Sequence, residues 1–388
     1  MSRAERQGLL AVSLCVFLAL SSPSTVASRG GGGNGKPLVT AITKDASTSL
    51  YTVPIKDGHS LVLDLAGALV WATCDASHPT LECHHHFCMY AHSYLPPNCP
   101  QNGYGHADVK DPFRCQCTAH PYNPFSGESA SVDLTRTRLS ANATDGKNPL
   151  YPVSFTAVTS CAPESHLEKL PAGAVGIAGL APTRLALQAQ VAGTQNVANK
   201  FALCLPSGGD GVAIFGYFIS ATKISVNHEQ VQLYDHGPLV VELSSRIPYT
   251  VFRPDVYRAF IDAFDKATAE RKRVTPPVAP FELCYDSREL GSTRLGYAVP
   301  QIDLELEGGE NWTVFGGNSM AQVNDNTACL AFVKMTGEKG NPPAVVIGGF
   351  QMENNLLVFD DEKARLGFSG LLWGRQTTCS NFNFTLAA

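Results

Sequence analysis

A single carboxylate closes an apolar strand in Leu61-Val62-Leu63-Asp64-Leu65-Ala66-Gly67-Ala68-Leu69-Val70-Trp71, and the chain turns directly after it at Gly67. Two carboxylates sharing one proton can activate a water, each holding the protonation state the other lacks. A chain built as two halves would deliver the second carboxylate about half its length later. There the sequence reads Leu239-Val240-Val241-Glu242-Leu243-Ser244-Ser245-Arg246-Ile247-Pro248-Tyr249, and Leu243 stands where the second aspartate is needed. Asp64 alone cannot divide the acid and base roles, so peptide hydrolysis is not expected. Glu242 lies one residue off register. Strand side chains alternate between faces, so Glu242 points away from the side of Leu243 and reads as a solvated strand residue. Leu65 and Ala66 also replace the hydroxyl and the flexible glycine of a working Asp-Thr-Gly turn, which makes Asp64 a structural relic.

A second candidate chemistry is metal binding at Cys83-His84-His85-His86-Phe87-Cys88. Its spacing is not that of a paired-cysteine knuckle, and no second Cys/His pair follows. Export to an oxidising compartment would consume its thiols in disulfides. The segment reads as a cross-linked surface loop with solvated histidines, and neither a metal nor another cofactor is expected.

The elements that must position these residues begin with an export signal. Arg3 and Arg6 precede an apolar run from Leu9 to Leu20, and the small residues Thr25-Val26-Ala27-Ser28 suit cleavage, so residues 1–28 read as a secretory signal. Residues 29–36 form a glycine-rich flexible leader. The run is too short for a membrane span and no later segment is long and apolar enough to be one. A secreted protein of about 360 residues remains, enough for two lobes or one large β domain. Charged residues make up only 16%, and short apolar segments separated by Gly and Pro argue for an all-β architecture. The net charge of −5, with no basic block, argues against a nucleic-acid partner.

Twelve cysteines include Cys15 in the signal. The mature chain keeps Cys74, Cys83, Cys88, Cys99, Cys115, Cys117, Cys161, Cys204, Cys284, Cys329 and Cys379, all expected to serve disulfides. Eleven is odd, so one thiol stays outside the intramolecular pairs or bonds to another chain. Asn142, Asn311 and Asn383 head N-glycosylation sequons. A helix is predicted over Arg253–Phe264, with Val256, Phe260, Ile261 and Phe264 on one face, and another over Arg184–Val191 after Pro182. The clearest internal echo pairs the strand and turn at Asp64 with those at Leu243. It places a lobe boundary near Gly216.

Several segments resemble the TAXI-type xylanase inhibitors of cereals, within the pepsin-like plant group that also holds basic 7S globulins and extracellular dermal glycoproteins. They are Leu63-Asp64-Leu65-Ala66-Gly67 with Leu69-Val70-Trp71, Cys117-Thr118-Ala119-His120-Pro121-Tyr122-Asn123-Pro124, Gly176-Ile177-Ala178-Gly179-Leu180-Ala181, Val212-Ala213-Ile214-Phe215-Gly216, Arg253-Pro254-Asp255-Val256-Tyr257, Cys284-Tyr285-Asp286 and Ile347-Gly348-Gly349-Phe350-Gln351-Met352-Glu353. They follow the family's order across nearly the whole mature chain. The resemblance implies an all-β, bilobal pepsin-like aspartic protease fold with a few short helices, lobes at 37–216 and 217–388, and no peptidase activity. It implies a secreted, monomeric protein of the apoplast and cell wall that blocks the cleft of microbial family-11 endo-1,4-β-xylanases in plant defence. Such an enzyme works with two carboxylates, and a histidine inserted between them would bind both.

Three departures qualify what the resemblance implies. The family's inhibitory histidine lies between a Gly-Phe-Ser, matched by Gly367-Phe368-Ser369, and the final cysteine. This chain reads Gly370-Leu371-Leu372-Trp373-Gly374-Arg375-Gln376-Thr377-Thr378-Cys379 there, without a histidine. Counting forward reaches Trp373 and counting back reaches Arg375, with Leu372 beside them. After Gly216 the chain is about 25 to 30 residues shorter than the family pattern, more than a strand and its loop, so either the second lobe lacks its leading strand or the gene model is incomplete there. Ser129 stands at a family cysteine position, which accounts for the odd count and leaves room for an intermolecular disulfide. The alternative functions are a non-inhibitory wall interaction protein, or an inhibitor of another glycoside hydrolase; an active aspartic peptidase is opposed by Leu243.

Overall fold

The computed structural model describes residues 35–387 apart from 98, 100–103, 109–110, 146, 215–220, 227–228, 231–238, 307–309, 338–341 and 364. The expected export signal, most of the expected leader and the expected lobe boundary near Gly216 lie outside the described residues.

Among the described residues the largest sheet has 13 strands. Leu38–Lys44 pairs antiparallel with Tyr51–Lys56 and with Asp210–Ile214. The late strand Leu356–Asp360 joins the same sheet through Lys200–Cys204, with Leu203 opposite Leu357. Arg365–Phe368 then pairs back on it. The chain's end is thus built into the sheet of its beginning. A disulfide between Cys204 and Cys379, 175 residues apart, holds that return. Among the described residues the second lobe uses smaller sheets of four, four, three and two strands.

The echo between the halves is a shared pairing scheme. His59–Asp64 runs parallel to Ala174–Gly179, which lies antiparallel to Val70–Ala72. Val241–Leu243 runs parallel to Val345–Ile347, which lies antiparallel to Thr250–Phe252. Parallel strands covered on both faces need continuous apolar sequence. Leu61, Val62 and Leu63 supply it and are fully buried.

Helix Pro254–Ala267 carries Pro254 in its first turn and buries Val256, Tyr257, Phe260, Ile261 and Phe264, as its stripe predicts. The other helix spans Leu187–Gln195 and starts later than its composition suggests. Leu185 is held extended beside Leu69, and its carbonyl accepts from the Val70 amide at 3.1 Å, so winding begins only after it.

Disulfides join Cys74 to Cys161, Cys83 to Cys115, Cys88 to Cys117 and Cys284 to Cys329, in addition to the bridge at Cys204. Cys99 stands outside these five, so of the eleven cysteines expected to serve disulfides it is the one that the odd count leaves over. Burial raises its thiol above the ordinary value, opposed by a hydrogen bond with Ser131. Ser129 instead pairs with Tyr122 in a two-residue strand.

The lobes meet at a buried carboxyl. Glu353 receives a hydrogen bond from Tyr51 Oη at 2.8 Å and an ion pair from Lys44 at 2.5 Å, both from the first lobe. Burial pushes Glu353 above its ordinary 4.5, and the pull of Lys44 only partly offsets this. A carboxyl with a raised folded pKa stabilises the fold fully below its unfolded value, and that contribution is lost as pH rises through the folded value. Melting temperature compared across about pH 4 to 7 should therefore fall less steeply for Glu353→Gln than for the parent chain. Equal slopes would show that Glu353 does not titrate in this way.

Candidate functional site

Asp64 ends its strand at the base of the interlobe cleft and is 2% exposed. A buried carboxylate needs a partner, and here it is Arg246. Its Nε donates to Oδ1 and its Nη2 to Oδ2, both at 2.8 Å, in a two-point clamp. Burial opposes the guanidinium's charge, but the hydrogen bonds and charge of Asp64 outweigh it and hold Arg246 above its ordinary value. Tyr94 and Tyr122 are close enough to add to this field. Tyr94 is itself raised by burial, against the pull of Arg246. The segment bearing Tyr122 is tied to the floor by Trp71, whose Nε1 donates to the Tyr122 carbonyl at 3.2 Å.

A second contact locks the two turns together. Ser245 Oγ donates to the Leu63 carbonyl at 2.8 Å and accepts from the Leu65 amide at 3.1 Å. With Ser245 set against the residues flanking Asp64, its neighbour Ser244 stands in the place that mirrors Asp64. The strand registers agree. Asp64 pairs with Gly179, whereas Leu243 pairs with Ile347, one residue short of Gly348, and the Ser244 amide donates to the Ile347 carbonyl at 2.9 Å. The placement of Leu243 at the second carboxylate is thus corrected by one residue. Leu243 lines an apolar cavity of about 50 Å³ with Leu65, Trp312 and Phe359. Glu242 is exposed.

The floor joins a carboxylate to a guanidinium. Asp64 spends both oxygens on Arg246, and Ser244 offers no second carboxyl to share a proton. Sequence reasoning missed Arg246. Its signal was an arginine two residues after the mirror position of the aspartate, on a turn that must approach Asp64.

Metal binding fares no better. Among the described residues, three-ligand groupings occur at Cys74, His78, Cys161 and at Cys88, His92, Cys117, and in each the two cysteines are bonded to one another. One imidazole then remains in each grouping.

The segment expected to carry an inhibitory side chain forms a short 3-10 turn over Leu372–Arg375, ended by Gln376 at φ 58°. Its three candidates are separated by burial. Leu372 packs into the cluster around Cys204 and Cys379. Trp373 is half-buried with its ring laid on Gly317, where a Cβ would come within 2.4 Å of the indole. Arg375 is exposed. Of the sequon residues, Asn311 and Asn383 are exposed and Asn142 is half-buried within a strand.

Residues 51–217 match the family described as Xylanase inhibitor N-terminal, and residues 216–370 match Xylanase inhibitor C-terminal. The rice (Oryza sativa subsp. japonica) protein named Chitinase CLP is 76% identical over 419 aligned residues, covering 98% of this chain and 99% of that protein. That alignment is 31 positions longer than the 388 residues here, so the rice protein carries sequence this chain lacks. Probable aspartic proteinase GIP2 of Nicotiana benthamiana is 33% identical, covering 98% of this chain and 99% of its own. Of solved structures, edgp superposes with a TM-score of 0.78 at 31% identity, over 91% of this chain and 99% of that one. Soybean Basic 7S globulin gives 0.75 at 24% identity, over 90% and 100%, and speaks for the fold.

Two outcomes follow from the clamp. Arg246→Ala strands a buried carboxylate and should cost about 3 to 5 kcal/mol in chemical denaturation; a loss below about 1 kcal/mol would contradict the clamp's role. The parent chain should leave denatured globin uncut at acid pH, and pepstatin-sensitive cleavage would refute the reading of Asp64. With both halves matched from residue 51 to residue 370, the chain belongs to the TAXi-type xylanase inhibitor family, pepsin-like proteins that are inactive homologues of aspartic proteases.

Proposed function

We propose that this chain is an exported inhibitor of a microbial glycoside hydrolase, in the first instance a family-11 endo-1,4-β-xylanase, and that the segment 371–378 makes the decisive contact. The observation that carries this reading is the family match over residues 51–370. The closed cleft floor supports it, because a fold whose carboxylate is neutralised by Arg246 is left with binding rather than hydrolysis. Five disulfides suit an oxidising extracellular setting.

Arg375 is the residue best suited to the target's two carboxylates. It is exposed at the end of the turn, and a guanidinium binds a carboxylate at two points at any working pH. Trp373 supports the turn through its seat on Gly317, and Leu372 anchors it to the core.

A second reading is favoured by one observation, the 76% identity to the rice protein named Chitinase CLP. On that reading chitin, rather than xylan, is the polymer concerned. Hydrolysis by this chain's own cleft is disfavoured, since Asp64, the buried carboxylate of the floor, is held at both oxygens by Arg246 and is not free to act as acid, base or nucleophile.

The test is a titration of the purified protein against family-11 xylanases, with a chitinase and a xyloglucan-specific glucanase in parallel. Inhibition of xylanase alone is the expected result, and inhibition of chitinase alone would move the target to the second reading. Arg375→Ala should weaken inhibition by about 2 kcal/mol or more, a loss of roughly thirtyfold. The inhibition should also show no step near neutral pH, because no imidazole titrates at the contact. Inhibition untouched by Arg375→Ala and Trp373→Ala would remove the segment 371–378 from the mechanism.

A further inference from the structure

The second lobe holds a pocket of about 520 Å³ that shares no lining residue with the clamp. That volume lies within the range of sites that enclose small ligands, about 300 to 1,000 Å³. One wall is the hairpin of Ser292–Thr293 and Gly296–Tyr297. It is held rigidly. The Gly317 amide donates to the Leu295 carbonyl at 2.7 Å, and Thr293 Oγ1 donates to the Gly296 carbonyl at 2.9 Å. Gly296 has φ 98°, and a Cβ there would fall 2.1 Å from the Gly317 nitrogen, so only glycine lets the hairpin sit this close. The facing wall is the end of helix Pro254–Ala267, with Thr268 and Arg271 following.

The lining combines two kinds of chemistry. Tyr297 and Phe315 give half-buried aromatic surface. Arg271 and Arg294 present donors, while Glu270 presents acceptors and Gln301 both. Charge is largely balanced within the site, because Glu270 pairs with Arg271 at 3.3 Å and the helix end contributes partial negative charge against Arg294. Ligands that meet these demands have apolar ring faces and a rim of hydroxyls that donate and accept. Pyranose rings have that build, whereas a strongly charged ligand would break the balance.

We propose that this pocket binds a short stretch of uncharged pyranose oligosaccharide, with a ring seated on Tyr297 and Phe315 and its hydroxyls bonded to Arg271, Gln301 and Glu270. The site does not depend on enzyme inhibition. It does adjoin the turn assigned to that role, since a Cβ at Gly374 would lie 3.3 Å from Leu295.

Calorimetric titration of the whole protein with xylotetraose and, separately, with chitotetraose tests the proposal with no enzyme present. Saturable binding of either sugar at about millimolar strength or tighter is expected, and the arm that binds identifies the ring chemistry. Ala267 is exposed at the pocket mouth, so Ala267→Trp fills the mouth without removing a buried contact and should abolish binding while leaving the melting temperature unchanged. Tyr297→Ala should weaken binding about tenfold or more, and Arg375→Ala should leave it unaltered. Failure of both sugars to bind at about 10 mM, or binding indifferent to Ala267→Trp, would overturn the assignment.

Discussion

The ion pair between Asp64 and Arg246 sets the terms for the rest of this molecule. A buried carboxylate with no partner would be protonated or would unfold its surroundings. The chain keeps Asp64 at the end of a strand buried on both faces, where it cannot reach water. Arg246 meets both oxygens, and in doing so fixes the turn that bears Ser244 and Ser245 against the turn of Asp64. A geometry that elsewhere could bring two carboxyls together here joins an acid to a base. The reactive floor becomes a cross-link between lobes.

Other contacts reinforce the same union. Glu353 receives Lys44 and Tyr51 from the first lobe, and the last strands pair into the sheet begun by Leu38–Lys44. Functional surfaces are then carried by short segments set on a rigid frame. The Leu372–Arg375 turn is pinned at Leu372 and Trp373 and leaves Arg375 outward. The neighbouring hairpin owes its closeness to Gly296. Each segment can change its exposed residue without disturbing the clamp.

Much of this was legible in the sequence. The all-β architecture followed from apolar runs broken by Gly and Pro, its two-lobe form from the family resemblance, and the helix at Pro254 from its proline and its stripe. The cysteine count indicated a residue outside the bridges. What sequence reasoning lacked was register across the lobe boundary. Leu243 was assigned to the lost carboxylate because distance along the chain cannot resolve one residue, whereas the Ser245 hydrogen bonds place Ser244 there. Arg246 was overlooked for a related reason. An arginine in a turn normally reads as solvated, and only the fold brings it to a carboxylate 182 residues away. The helix at Leu187 began late because Leu185 was claimed by a bridge to Leu69, a tertiary contact that local composition does not carry.

The account's central claim is that Asp64 and Arg246 are energetically coupled, and a double-mutant cycle measures that coupling directly. Asp64→Asn, Arg246→Gln and the double variant would be compared with the parent by denaturant unfolding. The clamp predicts a coupling of about 2 to 3 kcal/mol, with the double variant more stable than the sum of the single losses implies. Additive losses, with a coupling below about 0.5 kcal/mol, would contradict it.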